Sequence, residues 1–185
     1  MEWLSVNASA IIAASSALLA AIIAGVTTVL SILFTNKSNK ALRQEQFDFD
    51  KWKANRDFFL SKGEELFTLF NKWHELVVQL HTAQTFQLLK VKSSQDMQSE
   101  LKDFPLKEIA PRVGAINSMF FPDLVDDFDA LQSLSGTMNI AYAKSITGEI
   151  TISNGVITIN KTLENLRVNA EAYRSRIAEK VRHHL

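Results

Sequence analysis

Cysteine is absent from the 185 residues of this chain, and glycine and proline are scarce, at six and three copies. Without cysteine, neither a disulfide framework nor thiolate chemistry can form. Neither sign of charge is in excess, since 20 Lys and Arg balance 20 Asp and Glu. Because 46% of the residues are apolar, the composition excludes a disordered polymer, and the length predicts one domain with at most one added segment.

The balanced charge hides an uneven distribution along the chain. Residues 1–36 carry a single charge, on Glu2, whereas residues 37–62 have a net charge of +3. Residues 91–150 have a net charge of −4, and residues 151–185 return to +3. No segment is basic enough to predict a nucleic acid as the main ligand.

The longest run without charge decides the class of protein. Residues 9–34 contain no charged residue, Pro, Asn or Gln. A helix of that length reaches about 39 Å, whereas the hydrocarbon core of a bilayer is about 30 Å thick. A cleaved signal peptide, the main alternative, has cations before an apolar core of about 7–15 residues. Here no cation precedes the run and the run is longer, so we predict a retained transmembrane helix.

Cations on one side of this run predict its orientation. Only the amino group and Glu2 precede the run. The positive-inside rule therefore places the amino terminus outside and the carboxyl terminus in the cytoplasm. The cations that follow the run within about 20 residues are Lys37, Lys40, Arg43, Lys51 and Lys53.

Small residues recur along one face of the predicted span, at alternating spacings of four and three. Larger side chains such as Ile11, Leu18 and Ile22 lie off this face. Small residues let helix backbones approach closely in a membrane, so we predict self-association here. This small-residue face consists of Ala10, Ala14, Ala17, Ala21, Ala24 and Thr28, with Gly25 from an adjacent row at spacing four.

A second periodic pattern follows the polar stretch at residues 35–40. Apolar residues repeat every seven positions from Trp52 to Leu80, which predicts one long helix over residues 41–91. Aromatic rings concentrate in this helix. We expect an interface, either within the bundle or between subunits, at Phe49, Trp52, Phe59, Phe70 and Trp73.

Residues 149–160 support two interpretations. Alternation around an Asn-Gly pair is typical of a β-hairpin. Spacings of three and four from Val156 to Ile177 instead indicate a helix. Because an isolated two-stranded hairpin is only marginally stable, we predict a helix that begins near Ser153 or Asn154, either of which can cap it.

The remaining segments complete an all-α fold. Residues 92–104 indicate a loop with a short helix, and Pro105 and Pro122 suit the first turns of two further helices. The predicted architecture is one N-terminal transmembrane helix followed by a cytoplasmic antiparallel bundle of about four helices. Along the chain it divides into an outer tail at 1–8, the transmembrane helix at 9–34, a juxtamembrane linker at 35–40 and the bundle at 41–185.

Groups that carry chemistry are few in this sequence. It has no glycine-rich phosphate loop, no Gly-x-Ser-x-Gly and no His-Glu-x-x-His. His74 and His81 share a helix face about 10 Å apart, too far to bind one metal side by side, and we expect them at polar edges. We predict no metal site, no cofactor and no enzymatic activity. A carboxylate cluster complements the positive start of a helix and consists of Asp123, Asp126, Asp127 and Asp129.

Two residues near the carboxyl terminus carry a resemblance to a known family. Arg176 and His183 are separated by six residues, which resembles the Arg-x(4–6)-His signature of HEPN ribonuclease-like bundles, where Arg and His line a cleft between paired helices. Ile177 stands where that signature usually has a polar residue. The resemblance implies a catalytic role for Arg176 and His183. We prefer the simpler interpretation that cations at a helix carboxyl end complement the helix dipole.

The layout of the whole chain is similar to that of small membrane effectors of bacterial antiphage systems, closest in plan to CRISPR-associated membrane pore proteins with HEPN-like bundles. This resemblance implies a bacterial inner-membrane protein whose symmetric homo-oligomer surrounds a pore that opens during infection. Its partners are then the lipid bilayer and other copies of the chain. The sequence identifies neither a cytoplasmic protein partner nor a nucleic-acid-linked trigger.

Three functions agree with these patterns. We predict a non-enzymatic, homo-oligomeric protein that forms pores or disturbs the membrane, because a small-residue face is present and catalytic motifs are absent. A membrane-tethered HEPN-like ribonuclease is the first alternative. The second is a monomeric membrane scaffold that recruits a cytoplasmic partner through exposed aromatic residues.

Overall fold

The computed structural model describes residues 2–102 and 104–183, with side chains from residue 6 onward. These residues form helices joined by short connections, with no strand among them, and the all-α prediction is confirmed. A single turn of 3-10 helix, Pro122–Leu124, precedes the fourth helix. The α-helices are α1 (Glu2–Leu88), α2 (Ser94–Leu101), α3 (Leu106–Phe120), α4 (Val125–Thr147) and α5 (Ile152–Arg182).

Contacts within the chain divide it into two units, Met1–Ala54 and Asn55–Leu185. Helix α1 begins in the first unit and ends in the second. Residues 35–40, which we expected to form a linker before a new helix at 41, are helical and belong to α1. The stretch is polar but contains neither Gly nor Pro, so no residue in it carries a large cost in a helix.

A left-handed residue follows the end of α1, and a capping box begins α2. Helix α1 ends at Leu88, three residues before the expected end, and Lys90 adopts a left-handed backbone with φ of 59°. Ser93 then caps α2 by accepting a hydrogen bond from the backbone N–H of Asp96 at 3.1 Å. The Asp96 carboxylate accepts in return from the Ser93 N–H, which completes a capping box.

Pro105 and Pro122 lie at helix starts, as expected, with small shifts in register. Pro105 is the residue before α3 rather than its first residue. Pro122 opens the 3-10 turn, and α4 itself begins three residues later and runs to Thr147. Pro111 lies inside α3, which continues through it.

The helical interpretation of residues 149–160 is confirmed. Helix α4 ends where Gly148 takes a φ of 80°, a left-handed conformation that glycine adopts without steric cost. Thr151 caps α5, because its hydroxyl oxygen accepts a hydrogen bond from the Asn154 N–H at 3.2 Å. The helix therefore begins slightly earlier than Ser153 or Asn154.

An apolar core lies in the second unit, where the carboxyl-terminal part of α1 packs with α3, α4 and α5. The stretch of the seven-residue pattern from Leu66 to Val77 is buried there. Rings of the core meet at short centroid distances, 4.4 Å between Phe70 and Tyr173 and 5.1 Å between Trp73 and Phe128. Other fully buried members are Leu124, Leu131, Met138, Ile159, Leu166 and Ile177.

Candidate functional site

The apolar beginning of α1 is the first candidate site. Among the described residues, one helix is long and apolar enough to cross a membrane by length and composition, with a mean hydropathy of 2.5 in its most apolar window. None of that window is buried, and every side chain from residue 8 to residue 34 is exposed. This chain therefore leaves a long apolar surface uncovered, and such surfaces mark sites of contact with lipid or protein.

Three of the six hydroxyl groups within the apolar segment at residues 9–34 are satisfied inside the helix. Ser16 donates to the carbonyl oxygen of Ala13 at 2.9 Å, and Thr28 donates to that of Ala24 at 2.7 Å. Thr27 donates to the carbonyl oxygen of Ile23 at 2.8 Å. A hydroxyl bonded this way needs no water, so these residues are compatible with an apolar environment.

The small-residue face lies entirely on the surface of this chain. Its seven members, from Ala10 to Thr28, are exposed. A methyl group added at Gly25 would meet no atom within 4 Å. The face is thus open for a second helix to approach closely.

The five aromatic residues predicted at an interface fall into three environments. Phe70 and Trp73 lie in the core. Phe59 packs partly buried against it, with its ring centroid 6.3 Å from that of Phe121. Phe49 and Trp52 are 58% and 46% exposed and pair with each other at 5.8 Å between ring centroids.

His81 is the centre of a buried polar network between α1 and α4. Its Nδ1 atom donates to the side-chain oxygen of Gln84 at 2.7 Å, and Ser135 donates to its Nε2 atom at 3.1 Å. Gln84 in turn donates to the side-chain oxygen of Asn139 at 3.0 Å. His81 has 0% of its surface exposed, and burial lowers its pKa, so the ring is neutral. A sealed ring with both nitrogens engaged cannot serve an external substrate as a base.

His74 lies against Arg174 of α5. The guanidinium of Arg174 donates to Asn71 at 2.7 Å and to Nδ1 of His74 at 3.1 Å. Burial, followed by the positive charge of Arg174, lowers the pKa of His74. Since Nδ1 accepts, the proton of the neutral ring resides on Nε2, which is buried without a hydrogen-bond partner in the described part of the chain. The arrangement joins two helices and leaves no free base.

Sequence reasoning placed both histidines at polar edges, and for His81 this was wrong. Nothing in the spacing of α1 indicates that α4 covers this ring, because Ser135 lies 54 residues away in the chain. The one local indication of a hydrogen-bond partner for His81 was Gln84, which lies three residues later on the same helix face. It could have suggested a polar pair, although not its burial.

Arg176 and His183 occupy different surroundings. Arg176 forms an ion pair with Asp127 and donates to the carbonyl oxygen of Asp123 at 2.8 Å. Lys180 pairs with the Asp123 carboxylate, which lowers the pKa of that carboxyl group. His183 is exposed directly after α5. Two members of the carboxylate cluster thus bind cations of α5, and in the described ranges no group of three or more His, Asp or Glu is placed to bind a metal ion.

Comparison with known proteins finds no matching family model, no similar curated protein and no similar solved structure. Function must therefore be inferred from the residues of this chain.

Proposed function

We propose that this protein is a non-enzymatic, homo-oligomeric membrane protein whose apolar segment at residues 9–34 crosses the bilayer. The amino terminus then lies outside and residues 41–185 form a cytoplasmic antiparallel helical bundle. Its action is to form a pore or to disturb the membrane. By the resemblance in layout, we assign it to the bacterial inner membrane and to antiphage defence.

The observation that carries the proposal is the uncovered apolar surface of α1. Burying apolar surface contributes about 25 cal/mol per Å², so a run of 26 uncharged residues left in water would carry a large cost. A bilayer removes this cost along the whole length of the segment, and internal bonds satisfy the hydroxyl groups of Ser16, Thr27 and Thr28 there.

Self-association is supported by the small-residue face, and the antiparallel bundle by contacts between α1 and α5. Gly63 lies against Val181, and eight residues later in α1 Asn71 bonds to Arg174, seven residues earlier in α5. Contacts that advance along one helix and retreat along the other are those of antiparallel neighbours.

A membrane-tethered ribonuclease is the second candidate, favoured by Arg176 and His183. Against it, Arg176 is engaged by Asp127, and His183 lies at an exposed helix end without a positioned partner among the described residues. A general base needs such a partner and a substrate within about 3 Å.

The experiment that separates these functions measures dye leakage from liposomes and RNA cleavage side by side, with the purified full-length protein. The proposal expects leakage, no RNA cleavage above background, and the same leakage from a His183→Ala variant. RNA cleavage that disappears in His183→Ala would establish the ribonuclease instead. A monomeric mass in detergent, without leakage, would favour the scaffold.

A further inference from the structure

Three cations directly follow the apolar segment on a stretch that has no carboxylate. From residue 36 to residue 44 the chain carries Lys37, Lys40 and Arg43 and no acid. None of the ion pairs between described residues involves these three cations. Their charge is therefore not balanced by a neighbouring side chain.

Several cations of the second unit form ion pairs. Every ion pair in the described ranges lies within Asn55–Leu185, from Arg56 with Asp57 to Lys180 with Asp123. Several of these cations, including Lys62, Arg112 and Arg176, have carboxylate partners on the same or another helix. Other cations of this unit, such as Lys72 and Lys161, are in none of these pairs, so the feature of residues 36–44 is three cations close together without a carboxylate among them.

The stretch that bears these cations also presents neutral donors. A shallow surface cavity of about 370 Å³ is lined by residues whose side chains can all donate hydrogen bonds, and none of them is a carboxylate. Of these residues, Gln44 already donates to the Asp48 carboxylate at 3.2 Å. Ammonium, guanidinium and amide groups together match the oxygens of a phosphate group. The lining residues are Asn36, Asn39, Lys40, Arg43 and Gln44.

Lys37 and Lys40 lie on the side of α1 away from the small-residue face, whereas Arg43 lies at the edge of that face, in line with Gly25. At about 100° per residue, Lys37, Lys40 and Arg43 share an arc of about 120°. Measured as rotation about the helix axis, Ile22 and Val29 lie within about 20° of Lys40, whereas Ala24 and Thr28 lie about 120–160° from it. Lys37 and Lys40 thus continue the side of the helix that carries large apolar residues, and Arg43 borders it.

We propose that Lys37, Lys40 and Arg43 form a binding surface for the headgroups of anionic phospholipids. The inference rests on the proposed function, because it requires residues 9–34 to cross the bilayer. With the small-residue face turned toward other copies of the chain, the side with Ile22 and Val29 faces lipid. Lys37 and Lys40 beyond it then meet the headgroups, and Arg43 borders the same surface.

Distance and charge both favour this assignment. At 1.5 Å per residue, the three cations lie about 5–14 Å beyond Phe34, which long side chains can span to reach the headgroup layer. A Lys or Arg close to an anionic leaflet is attracted to it, and the attraction decays within a Debye length of about 8–10 Å.

The test uses full-length protein reconstituted in phosphatidylcholine vesicles with a trace of spin-labelled phosphatidylglycerol or spin-labelled phosphatidylcholine. Electron spin resonance measures the fraction of each label immobilised by the protein. We expect several-fold preference for phosphatidylglycerol at low salt and near equality at 1 M salt. Replacing all three cations by Gln should bring the preference close to one.

Two controls make the test specific to this side of the helix. Lys53→Gln removes a cation about 20 Å further along α1 and should leave the preference unchanged. The double variant Ser38→Lys with Lys40→Ser keeps net charge and depth but moves one cation about 160° around the helix. It should lose as much preference as Lys40→Ser alone.

The outcomes distinguish this inference from the proposed function. Equal immobilisation of both labels by the unaltered protein at low salt would overturn the lipid-binding surface and leave the membrane span standing. Immobilisation of neither label would overturn both. A preference that survives the triple Gln variant, or that the charge-moving variant retains in full, would overturn the assignment to Lys37, Lys40 and Arg43.

Discussion

At the scale of single residues, His81 shows how burial changes the chemistry of a side chain. Its ring donates to Gln84 and accepts from Ser135, so both nitrogens are used in the neutral form. A second proton would turn the nitrogen that accepts from Ser135 into a donor and would place a charge in a site without solvent. The fold therefore excludes the protonated ring.

We predict that this exclusion makes stability fall as the pH is lowered below about 6.5. The unfolded chain binds a proton at His81 that the folded chain, with its lowered pKa, does not bind. The contribution of neutral His81 to the free energy of unfolding is therefore complete above the pKa of this residue in the unfolded chain. Below that pKa the free energy of unfolding declines, by up to about 1.4 kcal/mol per pH unit for one group. Urea unfolding of the full chain at pH 7.5 and pH 5.5, followed by circular dichroism, measures the change.

His74 adds to the same dependence, because its pKa is also lowered. Three carboxyl groups also have lowered pKa values, but their protonation affects stability only in more acidic solution. They belong to Glu65, Asp96 and Asp123. His81→Gln should flatten the decline between pH 7.5 and 5.5, whereas His183→Gln at the exposed helix end should not. An unchanged decline in His81→Gln would contradict the assignment.

At the scale of elements, the close approach of α4 and α5 depends on a residue without a side chain. A Cβ atom at Gly155 would lie 1.8 Å from the hydroxyl oxygen of Ser145 and 3.0 Å from its Cβ. The Ser145 hydroxyl would have to rotate away from its bond to the Ala141 carbonyl oxygen, and the contact with its Cβ would force the neighbouring atoms apart by a few tenths of an ångström. Gly136 in α4 offers a matched comparison, since an added Cβ there meets nothing within 4 Å.

We predict that Gly155→Ala lowers the free energy of unfolding by about 1–3 kcal/mol through overpacking. Gly136→Ala should raise it by up to about 1 kcal/mol, because alanine is the better helix former. Chemical denaturation of the two variants measures both values. Adding Ser145→Ala to Gly155→Ala should recover part of the loss, and equal effects of the two glycine substitutions would rule out the steric explanation.

The small-residue face gives a second prediction at this scale. Ala17→Leu together with Ala21→Leu keeps the segment apolar while blocking close approach of helices, so membrane insertion should persist and the oligomer should dissociate or rearrange. Light scattering in detergent measures the mass. Leu18→Ile with Ile22→Leu, off the face, should leave the mass unchanged. If the oligomer persists after both alanines are replaced by leucine, assembly depends on the cytoplasmic helices instead.

At the scale of the whole molecule, orientation in the membrane is the property that everything else in the proposal depends on. Cations follow the apolar segment and none precedes it, so the carboxyl terminus should remain in the cytoplasm. A reporter active only in the periplasm should be silent when fused after the last residue and active at the amino terminus. The opposite pattern would overturn the topology and the location proposed for the cationic residues.

Much of the helical content could be predicted from the sequence because it depends on local periodicity. The spacing of apolar residues in α5 extends over the whole helix and outweighed the Asn-Gly signal. The surroundings of the predicted interface residues were harder to predict, because periodicity identifies a helix face without showing which residues pack against it. Trp52 and Trp73 occupy equivalent positions in the seven-residue pattern, yet one is exposed and the other lies in the core.

The sequence by itself determined the helical class, the long apolar segment and the uneven charge beside it, since each follows from residues close together in the chain. Only the tertiary structure decided which polar groups are sealed and which faces stay open. His81 meets Ser135, Tyr173 meets Asn117, and Gly155 meets Ser145 through the packing of separate helices. The physical reason is that burial and pKa depend on neighbours brought together by the fold, whereas hydropathy and helical period are properties of the local chain.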